Sequence, residues 1–221
     1  MSKWLLRLKF EQDRQYRYKL HSKNVQRPKA REGAPEAPAQ VQTVEILLDQ
    51  RVVRVESDGS GHVTSISTPQ VQGGENLRSV IYQHLGVKGE TLLTSTPSQG
   101  SAFCFPEEAV EVGSTWQGVT QNQVPNVPTP ITMTYSYKVE GMEKVGEREC
   151  VRISFESDLV RFNMPLPDGS GLSQVTTSTQ GGMFFDCEDG CLAKLRLVST
   201  THPRVRDMVF EVINESEQVL L

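Results

Sequence analysis

The sequence predicts an all-β fold, one large curled antiparallel sheet in the manner of a half-barrel or open barrel, with at most one or two short helices. Three observations lead there. Long stretches alternate apolar and polar residues with the period of two that marks a half-buried strand; Ile131, Met133, Tyr135, Tyr137 and Val139 against Thr132, Thr134, Ser136 and Lys138 is the clearest. Glycine-bearing turn signals such as Asp58-Gly59-Ser60-Gly61 and Val145-Gly146 separate these stretches. Only one segment, Asn76 to Leu85, has a helical pattern.

The elements follow in order. Trp4, Leu6, Leu8 and Phe10 alternate with Leu5, Arg7 and Lys9; Tyr16, Tyr18 and Leu20 repeat the pattern, and Glu11-Gln12-Asp13 reads as the turn of a hairpin between them. Arg27 to Gln40 is rich in Pro, Ala and Glu without periodicity, a mobile loop inside a single domain spanning 1–221. Val44, Ile46 and Leu48 share one parity and Val53 and Val55 the other, which calls for a β-bulge near Asp49-Gln50. Val63 to Ser67 returns from the turn. In the helical candidate Leu77, Val80, Ile81 and Leu85 fall on one face, with Asn76 as cap and Gly86 as stop, although Val80-Ile81-Tyr82 also suits a strand. After Ile131–Val139 come Val151, Ile153 and Phe155. Then a long strand through Val175, Thr177, Thr179, Gly181, Met183, Phe185 and Cys187 is expected to kink at Gly181-Gly182. Cys191 to Leu197 returns, and Met208, Phe210 and Val212 supply the last strand, for about ten strands and no internal repeat.

Composition excludes some classes of function. Twenty-three basic and 27 acidic residues give a net charge of −4, interleaved along the chain. Nucleic acid needs a clustered positive surface, so it is not an expected partner; the one basic cluster, Lys23 to Arg31, reads as a solvated linker. No stretch approaches the roughly 18 apolar residues of a membrane span. Arg7 and Lys9 interrupt the first apolar run, so the start does not read as a signal peptide. The chain as written is therefore expected in the cytoplasm, or in the cell envelope if a leader has been removed.

No catalytic, cofactor-binding or metal-ligating constellation stands out, and the expectation is a protein that is not an enzyme and carries no cofactor. His21, His62, His84 and His202 show no i,i+4 pairing; there is no G-x-S-x-G elbow and no Walker-type loop. Gly169-Ser170-Gly171 reads as a turn. Glu107, Glu108, Glu111, Asp158, Asp186, Glu188 and Asp189 sit on polar faces or turns, where solvation is the default. Cys104 and Cys150 are isolated, and Cys187 and Cys191 lack the C-x-x-C spacing of a zinc knuckle. Glu188-Asp189-Gly190 suits a three-residue hairpin loop with Gly190 left-handed, which makes Cys187 and Cys191 cross-strand neighbours, either as packed thiols or as a strained bridge.

Four motifs carry a resemblance: Leu6-Arg7-Leu8-Lys9-Phe10 with Tyr16-Arg17-Tyr18; Phe105-Pro106-Glu107 leading to Val110-Glu111-Val112-Gly113-Ser114-Thr115-Trp116; Tyr137 to Gly146 running on to Cys150-Val151-Arg152-Ile153; and Phe185-Asp186 with Gly190 and Leu192. Together they resemble an uncharacterised bacterial family of β-rich proteins, usually exported or lipid-anchored and without an assigned activity. The resemblance implies a fold and no active site; in it Gly113 makes a turn and Trp116 enters a core-facing strand. By analogy with lipoprotein-carrier half-barrels, the expected function is a non-catalytic binding module whose concave face holds an apolar small molecule or a protein partner's segment. The alternative is a structural or assembly protein engaging other polypeptides through sheet edges or loops. Oligomeric state is left open by the sequence.

Overall fold

The computed structural model describes residues 2–28, 38–70, 78–96, 103–124, 127, 129–166, 171–205 and 208–221. Among them are twelve strands and no helix: β1 (Gln15–Pro28), β2 (Gln40–Val55), β3 (Gly61–Pro69), β4 (Ser79–Leu85), β5 (Thr91–Thr94), β6 (Thr115–Asn122), β7 (Ile131–Val145), β8 (Arg148–Ser157), β9 (Val160–Pro165), β10 (Leu172–Asp186), β11 (Cys191–Val205) and β12 (Met208–Leu220). All belong to one antiparallel sheet in the order β5-β4-β3-β2-β1-β12-β11-β10-β8-β7-β6, with β9 continuing the line of β8 along β10. The sheet is not closed into a barrel: β5 and β6 end the strand order, and β9 pairs with β10 alone. Most of the segment 27–40 lies outside the described residues, as do Gly169 and Ser170; Arg27 and Pro28 end β1, and Gln40 begins β2.

The alternation sorts the sheet into two faces. Trp116, Tyr137, Phe155, Gly181 and Leu197 stand opposite one another across β6, β7, β8, β10 and β11, and Ser216, Ser22 and Val44 extend the row over β12, β1 and β2. They define the inner face. On the outer face the central strands carry cross-strand ion pairs, among them Lys19–Glu45 at 3.0 Å, Lys23–Glu215 at 3.6 Å and Arg196–Glu217. These pairs are exposed and contribute little stability; they keep that face wet.

The core lies on the inner face at one end of the long strands. Val139, Val151, Ile153, Met183 and Phe185 are buried there beneath Leu6, Phe105 and Val110, which come from outside the sheet. Here the structure corrects the sequence reading. Residues 4–10 are not the first strand of a hairpin with 16–20. They run extended across the inner face: Trp4 exchanges two main-chain bonds of 2.8 Å with Val110, the Leu8 N–H donates to the Val87 carbonyl, and the Lys9 N–H to that of Gly190. The expected parity holds, since Leu6 is fully buried and Trp4 and Leu8 pack on the core. Phe10 lies over Gly61, where a Cβ would collide with its ring.

Other elements differ locally. Residues 79–85 form β4 instead of a helix: Ser67↔Ser79 through Gly61↔Leu85 pair in unbroken register with β3, and that ladder outweighs the short helical pattern. The bulge in β2 falls between Val52 and Arg54, not at Asp49-Gln50, leaving Val53 as the extra residue. Register runs unbroken through Gly181-Gly182, and the irregularity lies opposite Phe184/Phe185, where β11 carries Ala193 as an extra residue. Gly181 is needed for closeness, because a Cβ would meet the Arg196 carbonyl and the Phe155 ring, whose nearest atom is 2.7 Å away. The β7–β8 loop is Gly146-Glu147, with Gly146 at φ 62°. The turn at Gly113, φ 86°, delivers Trp116 as expected.

Candidate functional site

Three arrangements bring polar chemistry together. The first closes the β10–β11 hairpin. Asp186, 5 % exposed, accepts the N–H groups of Glu188 and Asp189 at 2.9 and 3.0 Å and takes Arg148 Nη1 at 2.7 Å. Arg148 also pairs with Asp189, which meets Arg14 at 2.8 Å. The two guanidiniums hold the Asp189 carboxyl below its usual range. Asp186, Asp189 and Cys191 are close enough to share a cation, but Arg148 already supplies the positive charge between the two carboxylates, so the cluster is a tie of the hairpin. The hairpin differs from the sequence reading by one residue: Asp186 stands opposite Cys191, the loop is Cys187 to Gly190, and Cys187 and Cys191 are not cross-strand neighbours. Gly190 is left-handed as expected, φ 61°, and a Cβ there would strike Lys9, whose nitrogen is 2.7 Å away. Lys9 in turn caps the loop, its Nζ donating to the Glu188 carbonyl at 2.7 Å.

All four cysteines are free thiols. Burial pushes Cys150, Cys187 and Cys191 up from 9 to about 11, and Tyr16 up to about 12. A thiol whose folded-state value is raised stabilises the fold fully below its unfolded value and loses that contribution as pH rises through the folded one. The melting temperature should therefore decline between about pH 9 and pH 11. Native-state alkylation of these three thiols at pH 8 should be slow and become fast on unfolding, since the thiolate is the nucleophile. Thermal scans against pH, and mass spectrometry after timed alkylation, check both statements.

The second arrangement was not visible as a motif. His62 and His84 stand opposite each other on β3 and β4, rings parallel within 12° and 4.0 Å apart. His62 bonds Glu56 Oε1 through Nε2 at 2.7 Å and shares a hydrogen bond with the Tyr82 hydroxyl through Nδ1; the first of these holds the Glu56 carboxyl low. His84 Nε2 lies 2.8 Å from Ser60 Oγ, which donates to Asp58 Oδ1 at 2.6 Å. Serine, histidine and carboxylate are all present, but in the wrong order for nucleophilic catalysis. There the hydroxyl gives its proton to the imidazole, whereas here the carboxylate takes it, and Ser60 is 2 % exposed. The group locks the β2–β3 turn to β4. His21 and His202 lie apart, near Glu45 and Glu211, and Glu107 pairs with Lys88 at 2.5 Å.

The third is a groove of about 900 Å³ crossing β6, β7, β8, β10 and β11 at the Trp116–Leu197 row. Tyr137 and Phe155 in that row are buried, 2 % and 9 % exposed. The exposed side chains here, Gln117, Lys138, Glu156, Gln180 and Arg196 among them, are those of the opposite face. Lys138 and Arg196 are already paired, with Glu140 and Glu217. On the inner side the same row is filled by the protein itself. Trp116 stacks on Tyr137 with ring centroids 5.1 Å apart, and its Nε1 donates to the Cys104 carbonyl at 2.7 Å.

Along the long strands the inner face changes character. Beyond the core comes a half-buried polar band: Ser22 and Asn24 on β1, Asn214 and Ser216 on β12, Ser199 and Thr201 on β11, Thr177 and Thr179 on β10. Thr177 pairs with Thr201 at 3.0 Å and Thr179 with Ser199 at 2.9 Å, hydroxyl to hydroxyl. Beyond the band, Val127, Ile131, Met133 and Val175 are also buried. The segments 2–10 and 103–110 cover the lower core; among the described residues no segment crosses the band. No protein-family model matches the chain, and no curated protein matches it.

Proposed function

We propose that the chain is a binding module that takes an extended polypeptide segment across the polar band of its inner face. The observation that carries this is intramolecular: residues 4–10 already lie that way across the lower half, side chains alternating down and up, main chain bonded to Val110 of the covering segment and to the loops at Val87 and Gly190. A segment of similar apolar–polar alternation would set its polar side on the hydroxyl and amide rows and its ends on the apolar residues either side of the band. An acyl chain fits less well. The lower core is closed by the protein's own Leu6, Phe105 and Val110, and hydroxyl rows offer an alkyl chain nothing for the water it displaces.

Competition on the full chain tests the reading. A labelled peptide with the Trp4–Phe10 alternation should bind saturably, and Thr179→Arg, which fills the band, should weaken it by about tenfold or more, the loss of one well-placed contact at least. A fluorescent fatty acid should not compete. Saturable fatty-acid binding indifferent to the peptide would sink the proposal in favour of an apolar-ligand carrier, and a peptide unaffected by Thr179→Arg would sink the placement.

A further inference from the structure

The two strands that end this open sheet follow the usual protective rule to different degrees. Natural edge strands carry charges, proline or bulges that deter pairing. Charged residues are frequent on the strands at the middle of the sheet, but β6, Thr115-Trp116-Gln117-Gly118-Val119-Thr120-Gln121-Asn122, has none, no proline and no bulge; all eight residues pair in register with β7. β5 is only four residues long, and the register of its partner β4 shifts at His84/Leu85. Among the described residues the regular, unprotected edge is β6.

Its free side can be worked out. The Val139 N–H donates to the Ser114 carbonyl, and Ser114 stands opposite Val139 in the β6–β7 register. In an antiparallel ladder bonded and non-bonded pairs alternate, so Trp116, Gly118, Thr120 and Asn122 turn their peptide groups towards β7. Thr115, Gln117, Val119 and Gln121 turn theirs outward. Val119 is also 60 % exposed on the outer face.

Val119 is flanked at equal distance by two glutamines, Gln117 and Gln121. A two-fold axis through Val119, normal to the sheet, keeps inner residues opposite inner and outer opposite outer. It sets Val119 against Val119, Gln117 against Gln121, Gly118 against Thr120 and Trp116 against Asn122. Every outward peptide group from Gln117 to Gln121 then meets an outward group of the other strand. The outer face of the junction carries a Val–Val contact flanked by two Gln–Gln pairs, and the inner face places the small Gly118 beside Thr120. No like charges meet anywhere along it.

We infer that β6 is a self-association edge: two copies of this chain join through antiparallel β6–β6 pairing centred on Val119, making one continuous sheet across the dimer. The contact is isologous and closes on itself, so it ends at two copies. It leaves the inner polar band of each copy open and is independent of the peptide reading.

Sedimentation of the full chain over a concentration series tests it, with two variants at Val119. Val119→Pro removes an N–H that points away from β7, a position where an edge strand tolerates proline. Val119→Lys sets two ammonium groups against each other on the axis. The wild-type chain should sediment as a dimer, and each variant should raise the dimer dissociation constant by about 100-fold or more while keeping the wild-type far-ultraviolet circular dichroism. Should Val119→Pro alone lose its fold, Val119→Lys still decides. A wild-type chain that stays monomeric at its highest soluble concentration overturns the inference. So does a dimer that a folded Val119→Lys leaves intact, because its interface would then lie elsewhere.

Discussion

Phe185→Ala should cost about 3–5 kcal/mol, the range for deleting a large buried aromatic. Phe185 is fully buried and meets Phe105 edge-on, centroids 4.8 Å apart at 60°. It stands where the sheet, through Ile153 and Met183, meets the covering segments, through Leu6 and Phe105. Neither can collapse into the void without breaking its own main-chain bonds, so the loss should fall towards the upper end of the range. At roughly 2–4 °C per kcal/mol for a chain of this size, the melting temperature should drop by about 6–20 °C. Denaturant titration with an unchanged m-value would confirm a loss of packing alone. A cost below about 1 kcal/mol would mean that the covering segments do not close the core.

Leu6→Ala should cost about 2–5 kcal/mol, although Leu6 belongs to no strand. Its side chain is fully buried among residues of the sheet and of the 103–110 segment. Hydrogen exchange gives the sharper readout. The amides of Trp4, Leu8, Lys9 and Phe105, which bond to Val110, Val87, Gly190 and Lys88, should lose protection together. Those of β1, paired on both sides by β2 and β12, should keep theirs. A hairpin between 4–10 and 16–20 would give the opposite pattern, with β1 loosening first. Leu6→Ala and Phe185→Ala should also be non-additive, since both open the same cavity.

Period-two alternation made the inner and outer faces legible in the sequence, down to the burial of Leu6, Val139, Ile153 and Met183. It could not say which partners a strand-like segment meets. Trp4 to Phe10 has a strand's pattern because it lies flat on an apolar surface, and that surface comes from residues as distant in sequence as Phe185 and Leu192. The misreading of 79–85 had a further cost. With β4 taken for a helix, the cross-strand pairing of His62 with His84 could not be seen, and four histidines without local spacing looked unrelated. At the β10–β11 hairpin, the left-handed Gly190 was legible from the loop composition. The one-residue offset was not, because the bulge opposite Phe184/Phe185 depends on how β10 sits between β8 and β11. The edge character of β6 was equally hidden. Thr115 to Asn122 states its own lack of charge, but only the strand order shows that no other strand among the described residues stands beside it.

The bond between the Lys9 N–H and the Gly190 carbonyl, and the pairing of β1 with β12, bear on how the protein is made. A ribosome delivers residues in the order in which they are written, at roughly 5–20 per second, so about ten seconds or more separate the emergence of Lys9 from that of Gly190. Throughout that interval Trp4, Leu6, Leu8 and Phe10 have left the exit tunnel with no surface to lie on, and β1 has only β2 beside it. The stripe that finally seals the core leaves the ribosome well before the surface it seals, and it is among the last parts to find its place. Until then it is an exposed apolar strip of the kind that chaperones hold.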